Sequence, residues 1–236
     1  RCTCETKAHI PYAGQWPVQE ELCGNLTKGR SALPATREKW MKTLHVNGAA
    51  MPAIGLGTWT LQGKECSRLV DAALGLGYRH VDTATIYENE GDVGEGIRGS
   101  GVPREEIFLT TKVWWTDLAA AALVRSAEKS LRLLGVDYVD LLLVHWPNPQ
   151  VPLAETMDAL GSVLERGLTR HIGVSNFPTP LLAEAVRLSE APLVANQVEH
   201  HPYLEQRKVH AACRKYGMAM GSYCPLHRGG GAPQGP

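Results

Sequence analysis

A chain of 236 residues with 24 basic and 24 acidic side chains carries no net charge at neutral pH, and 44% of its residues are hydrophobic. That balance excludes a disordered chain and a protein held to a polyanion by bulk charge; basic residues not interleaved with aromatics exclude a nucleic-acid platform. No apolar run approaches the roughly eighteen residues of a membrane span, and no signal-like stretch follows Arg1, so a cytoplasmic protein without membrane partners is expected.

The cysteines Cys2, Cys4, Cys23, Cys66, Cys213 and Cys224 form no C-x-x-C pair and have no histidine at ligand spacing. Reduced thiols and no metal are expected. The triplet Asn25-Leu26-Thr27 fits the N-glycosylation pattern, which means little without a secretion signal.

Residues 1–40 show no period and are interrupted by Pro11, Pro17 and Pro34. They read as an atypical, poorly ordered extension. From Met41 a rhythm begins. Lys42 to Val46, Asn47-Gly48 and Met51 read as a hairpin, because Asn-Gly supplies two residues with positive φ. Ile54 to Thr58 is a short strand. Lys64 to Leu76 sets Leu69, Val70, Ala73 and Leu76 on one helical face and stops at Gly77. Strand Arg79–Ala84, helix Asn89–Arg98, strand Ile107–Val113 and helix Leu118–Leu134 follow. Tyr138 to His145 is nearly all apolar, as a strand buried on both faces is. Helix Leu153–Glu165, strand Ile172–Val174, helix Pro180–Ser189, strand Leu193–Val198, helix Glu205–Tyr216 and strand Met218–Ser222 complete the pattern.

Strand and helix alternate about seven times, the mark of right-handed parallel βαβ units that close into a barrel or spread as an open sheet. Gly55-Leu56-Gly57-Thr58 is not a G-x-G-x-x-G turn into a helix, which argues against the open dinucleotide-binding sheet. The expected fold is therefore an α/β, parallel (β/α)8 TIM barrel over 41–227, lacking the last βα unit, with the hairpin capping its bottom and a Gly/Pro-rich tail over 228–236.

In such a barrel reactive groups gather at the C-terminal strand ends. Asp82 and, just beyond, Tyr87 follow the second strand, Lys112 the third and His145 the fourth; Ser175-Asn176, Gln197 and Tyr223 follow the fifth, sixth and seventh. A buried lysine needs a carboxylate, and Asp82 is a candidate. A phenol beside an ammonium has its ionised form favoured, so a lowered Tyr87 pKa is expected. Such a tyrosine can protonate a carbonyl oxygen as hydride reaches the carbon, with a neutral histidine fixing that oxygen. Singly each residue has a plainer reading: Asp82 as a helix cap, Lys112 on the surface, His145 as a hydrogen-bonded core histidine, Trp59, Trp114 and Trp146 as core. Their meeting at successive strand ends favours hydride transfer over hydrolysis.

Gly77-Tyr78-Arg79-His80-Val81-Asp82-Thr83-Ala84 with Tyr87 and Glu90 resembles the first signature of the aldo-keto reductase family, and Ile172-Gly173-Val174-Ser175-Asn176-Phe177 the second. Gly55-Leu56-Gly57-Thr58-Trp59, Thr111-Lys112-Val113-Trp114 and Val144-His145-Trp146-Pro147 are also similar to the family's segments. The Tyr87–Lys112 spacing is similar to that of the bacterial 2,5-diketo-D-gluconate reductase-like members. The resemblance implies an NADPH-dependent enzyme reducing aldehydes or ketones. In it Tyr87 is the general acid, Lys112 and Asp82 its tuning pair, and His145 the orienting group. Ser175, Asn176 and Gln197 hold the nicotinamide carboxamide, and Tyr223 stacks on its ring. Gly57, Thr58, Asp82 and Leu226 lie along the cofactor. Trp59, Tyr87, Trp114, His145 and Trp146 wall an apolar pocket for a small carbonyl substrate.

Two departures from the family pattern stand out. Cys224 occupies the position of a phosphate-contacting serine, and Gly/Pro-rich sequence follows Arg228 in place of an eighth strand and a basic 2′-phosphate segment. An incomplete barrel with unpaired edges, monomeric or self-associating through them, is expected to hold cofactor weakly and to be impaired. The alternative is a non-catalytic, aldo-keto-reductase-like binding or regulatory protein. A metal-dependent hydrolase on an unrelated barrel has no His-x-His or carboxylate cluster to support it.

Overall fold

The computed structural model describes residues 41–226. The expected extension over 1–40, the tail over 228–236, Cys2, Cys4, Cys23 and the Asn25-Leu26-Thr27 triplet lie outside the described residues.

The described part opens with a hairpin of β1 (Thr43–Val46) and β2 (Ala49–Pro52). Its turn residues Asn47 and Gly48 have φ of 42° and 88°, the consecutive left-handed pair that a two-residue hairpin requires. Seven strands follow: β3 (Leu56–Gly57), β4 (His80–Asp82), β5 (Phe108–Val113), β6 (Val139–Val144), β7 (Thr169–Ser175), β8 (Leu193–Glu199) and β9 (Ala219–Tyr223). They pair in chain order, each parallel to its neighbour, in a nearly closed barrel. The helices α1 (Gly63–Gly75), α2 (Glu90–Ser100), α3 (Ala120–Leu134), α4 (Leu153–Glu165), α5 (Thr179–Leu188) and α6 (Arg207–Lys215) alternate with them.

Two apolar layers follow from this arrangement. Val70, Leu74, Leu123, Leu160 and Leu182 from the helices pack on Val81, Leu109, Leu142 and Val174 from the strands. Inside the barrel, Phe108, Leu141, Leu143, Val194, Ala195 and Ala219 meet Ala49 and Met51 of the hairpin, which caps the barrel bottom as expected. Asn47 pins the cap: its side-chain amide donates to Leu193 O at 2.7 Å and Tyr216 O at 3.0 Å. Strands β5 and β6 are buried at every position because a helix layer covers one face and the barrel interior the other.

Gly173 shows why the second signature carries glycine. A Cβ there would stand 2.7 Å from Ala195 O and 2.8 Å from Leu143 Cδ2, beside a register shift between β7 and β8. The strand expected over Ile54–Thr58 shrinks to β3, and beyond its end the Thr58 amide and hydroxyl still reach across to Asp82 O on β4, at 3.0 and 3.2 Å. Three single 3-10 turns, over Thr85–Tyr87, Arg104–Glu106 and Trp115–Asp117, had no periodic signal in the sequence.

At the N-terminal mouth lies a charged clamp that sequence reasoning missed. The buried Asp140 carboxylate accepts from Arg104 at 2.8 Å, Arg170 at 3.3 Å and the Leu109 amide at 3.0 Å. Both guanidiniums lie over the Tyr138 ring, with centroid distances of 4.4 Å to Arg104 and 4.1 Å to Arg170.

Candidate active site

The parallel register brings the strand ends level. Gly57 lies opposite Asp82, Ser175 opposite Gln197, and Glu199 opposite Tyr223. Lys112, fully buried on β5, is the centre. Its ammonium pairs with the Asp82 carboxylate, donates to Thr83 O at 2.8 Å and reaches the Tyr87 hydroxyl at 3.5 Å. Burial pulls its pKa down, but Asp82 and Tyr87 outweigh that and leave it raised, so the ammonium stays charged.

Tyr87 ends its 3-10 turn, and Glu88 then takes a left-handed conformation at φ 57°. Gln62 Nε2 donates to Tyr87 O at 2.7 Å and fixes the turn. Here the expectation of a lowered phenol pKa is corrected. Burial raises it, Lys112 pulls the other way, Asp82 adds to the rise, and the net direction is upward. The sequence identified the favourable charge but gave no measure of the desolvation opposing it.

His145 lies beside Tyr87, ring centroids 5.7 Å apart, and Trp114 meets its edge at 5.2 Å. Burial and then the Lys112 charge push its pKa down to about 3, so it is neutral at physiological pH. Its Nδ1 is buried with no hydrogen-bond partner among the described residues.

The groups expected at a carboxamide are connected to one another. Asn176, at φ 63°, donates from Nδ2 to His145 O at 3.0 Å and Ser175 Oγ at 3.1 Å, and accepts from Tyr223 Oη at 2.9 Å. Ser175 Oγ donates to Gln197 O at 2.8 Å, and Gln197 Nε2 donates to Asp82 Oδ2 at 2.7 Å. Gly57 lines the open rim, where a Cβ would touch nothing within 4 Å. Thr58 is buried behind it. Leu226 is 82% exposed. Cys224, at φ 50°, is close enough for its charge to act on Tyr87. Trp59 and Trp146 are 49% and 43% exposed, which rules out the plain core reading for both. Trp114 is half-buried against His145.

Two neighbours of the site were not singled out for a role. Buried Asn89 accepts from Thr83 Oγ1 at 2.8 Å and donates to Thr58 O and Leu61 O at 2.7 and 2.9 Å, tying the Trp59 loop to the Tyr87 turn. Buried Glu90 accepts from Thr111 Oγ1 at 2.6 Å, and burial raises its pKa. Glu90 was marked only by the first signature, and Asn89 only as the start of the helix expected over Asn89–Arg98. Among the described residues no group of three or more His, Cys, Asp or Glu side chains can hold a metal ion, and no helix is long and apolar enough to cross a membrane.

The arrangement presents a protonated phenol, a neutral imidazole and a fixed cation to one rim, a set suited to protonating an oxygen whose charge develops during reaction. A family model described as "Aldo/keto reductase family" matches residues 53–232. The methylglyoxal reductase DkgB of Escherichia coli O157:H7 is 46% identical over 183 residues, 76% of this chain and 68% of that protein. A crystal structure provisionally named as 2,5-diketo-D-gluconic acid reductase B is 51% identical with a TM-score of 0.79, over 80% of this chain and 67% of the other. The Bombyx mori aldo-keto reductase in complex with NADP is 35% identical with a TM-score of 0.74, over 78% of this chain and 66% of the other.

Proposed function

This chain belongs to the aldo/keto reductase family, and from that premise we propose that it reduces a small aldehyde or ketone to an alcohol with NADPH, Tyr87 giving the proton. The observation that carries the reading is the Asp82–Lys112–Tyr87 chain beside the neutral imidazole of His145.

The residues at the rim fit a nicotinamide. The His145 Nδ1 is a buried polar atom without a partner among the described residues, and Ser175, Asn176 and Gln197 supply amide and hydroxyl groups within one connected cluster. When bound, the cofactor supplies the hydride. The chain's own residues do the rest. Tyr87, its pKa raised, carries its proton at neutral pH and donates it to the substrate oxygen. Lys112 stabilises the phenolate left behind, and Asp82 keeps the ammonium in place. The uncharged ring of His145 orients the oxygen without competing as an acid. Trp59, Trp114 and Trp146 give the pocket apolar walls.

The name of the Escherichia coli relative supports methylglyoxal as a first substrate to try. In this reading the protein is a cytoplasmic monomer whose partner is a small carbonyl compound. The test is NADPH oxidation in the presence of methylglyoxal by the protein and by Tyr87→Phe. A loss of about a hundredfold to ten-thousandfold is expected from removing a general acid. Equal turnover by the two proteins, or none by the first, overturns the proposal.

A further inference from the structure

Gln197 on β8 lies 115 residues beyond Asp82, and its amide nitrogen donates to Asp82 Oδ2 at 2.7 Å. The other carboxylate oxygen pairs with Lys112, so both Asp82 oxygens are engaged. The Gln197 amide oxygen accepts no hydrogen bond among the described residues, although the side chain is half-buried. One amide therefore has its nitrogen on the Asp82–Lys112–Tyr87 chain and no partner for its oxygen among the described residues.

We propose that Gln197 is a positioning residue for proton donation: its amide nitrogen fixes the rotation of Asp82, and with it the seat of Lys112 beside the Tyr87 hydroxyl. That positioning does not depend on the cofactor reading above. A carboxylate on a broad, two-fold torsion needs two fixed partners to hold one orientation, and Lys112 alone provides one. The bond from Gln197 is also charge-assisted, so it draws off part of the Asp82 charge that would otherwise act on Tyr87. Whatever engages the amide oxygen then acts, by linkage, on how tightly Tyr87 holds its proton.

The titratable groups facing Tyr87 are Asp82 from β4, Lys112 from β5, His145 beyond β6 and Cys224 beyond β9. The direction follows from them. Asp82 raises the Tyr87 pKa, so removing the donor that draws off its charge raises it further.

The experiment is carried out without cofactor or substrate. Tyr87 is followed by NMR of protein labelled at tyrosine Cζ, its resonance identified with Tyr87→Phe, in the parent protein, Gln197→Met and Gln197→Glu. An upward shift of about half a pH unit is expected for Gln197→Met and a larger one for Gln197→Glu, which brings a second carboxylate to Asp82. At neutral pH the Lys112 Nζ resonance moves in both variants. Gln197→Glu provides the reading if the methionine variant melts early. If Tyr87 and Lys112 resonate as in the parent while only NADPH affinity falls, Gln197 grips the cofactor alone and the proposal fails. Failure of the reductase reading shows separately, as turnover unaffected by Tyr87→Phe.

Discussion

The barrel buries ionic groups at both ends, and the two sites are built to opposite specifications. At the N-terminal mouth Asp140 is saturated: three donors converge on it, Arg104 also donates to Ile107 O and Tyr138 O, and both guanidiniums lie over the Tyr138 ring. At the C-terminal rim Lys112 is equally enclosed but points partly at Tyr87, at 3.5 Å, a group with a proton to lose. A buried charge whose partners are all complete holds structure. One that keeps a reach toward a titratable neighbour is in a position to do chemistry.

Substitutions can separate the two ends. The largest effect belongs to the rim: Lys112→Met is expected to lower kcat by about a thousandfold, comparable to removal of a general acid. Circular dichroism should show a folded protein, because methionine fills much of the same buried volume. Next comes the mouth. Asp140→Ala leaves two buried or half-buried guanidiniums unpaired and is expected to cost about 3 kcal/mol in urea unfolding, with kcat per folded molecule unchanged. If Asp140→Ala abolished turnover in folded protein, the division of labour would collapse.

A smaller effect sharpens the contrast through pH. His145 has a folded pKa of about 3 against an ordinary 6.5, so between those values the unfolded chain binds the extra proton. Its contribution is therefore fully present above pH 6.5 and is lost as pH falls toward 3, by up to about 1.4 kcal/mol per pH unit. His80 and His171, both lowered chiefly by burial, add to the same slope. His145→Gln should flatten the melting temperature between pH 7 and pH 5 without abolishing the slope. The smallest effect lies on the surface. Glu128→Ala removes the Arg166 pair at 2.5 Å and should change stability by less than about 1 kcal/mol.

Much of this was written in the chain. Apolar runs such as Leu141-Leu142-Leu143 announced buried strands, the face Leu69-Val70-Ala73-Leu76 announced a helix although Leu76 lies exposed past its end, and Asn47-Gly48 announced its turn. The strand-end residues Asp82, Tyr87, Lys112 and His145 were legible as a group because the barrel order brings successive strand ends together. What stayed hidden depended on distance or on magnitude. Arg104, Asp140 and Arg170 are some thirty residues apart in pairs, and Asp140 lies beside an apolar run. The bond from Gln197 to Asp82 passes over three intervening strands of sequence, β5, β6 and β7. The direction of the Tyr87 shift is set by how deeply the ring is buried, which no pattern of letters measures.

The pinned hairpin has a consequence in time. Local pairing of β1 with β2 is quick, but Asn47 finds its two carbonyls 146 and 169 residues further along. The cap therefore locks only after β8 and α6 have arrived, which places those bonds late in assembly, where long-range closure is slow. Asn47→Ala should then leave the refolding rate nearly unchanged and hasten unfolding, the behaviour of a contact absent from the transition state. Stopped-flow arms measured on the two proteins would show whether the bottom of the barrel is the last part to close and the first to open.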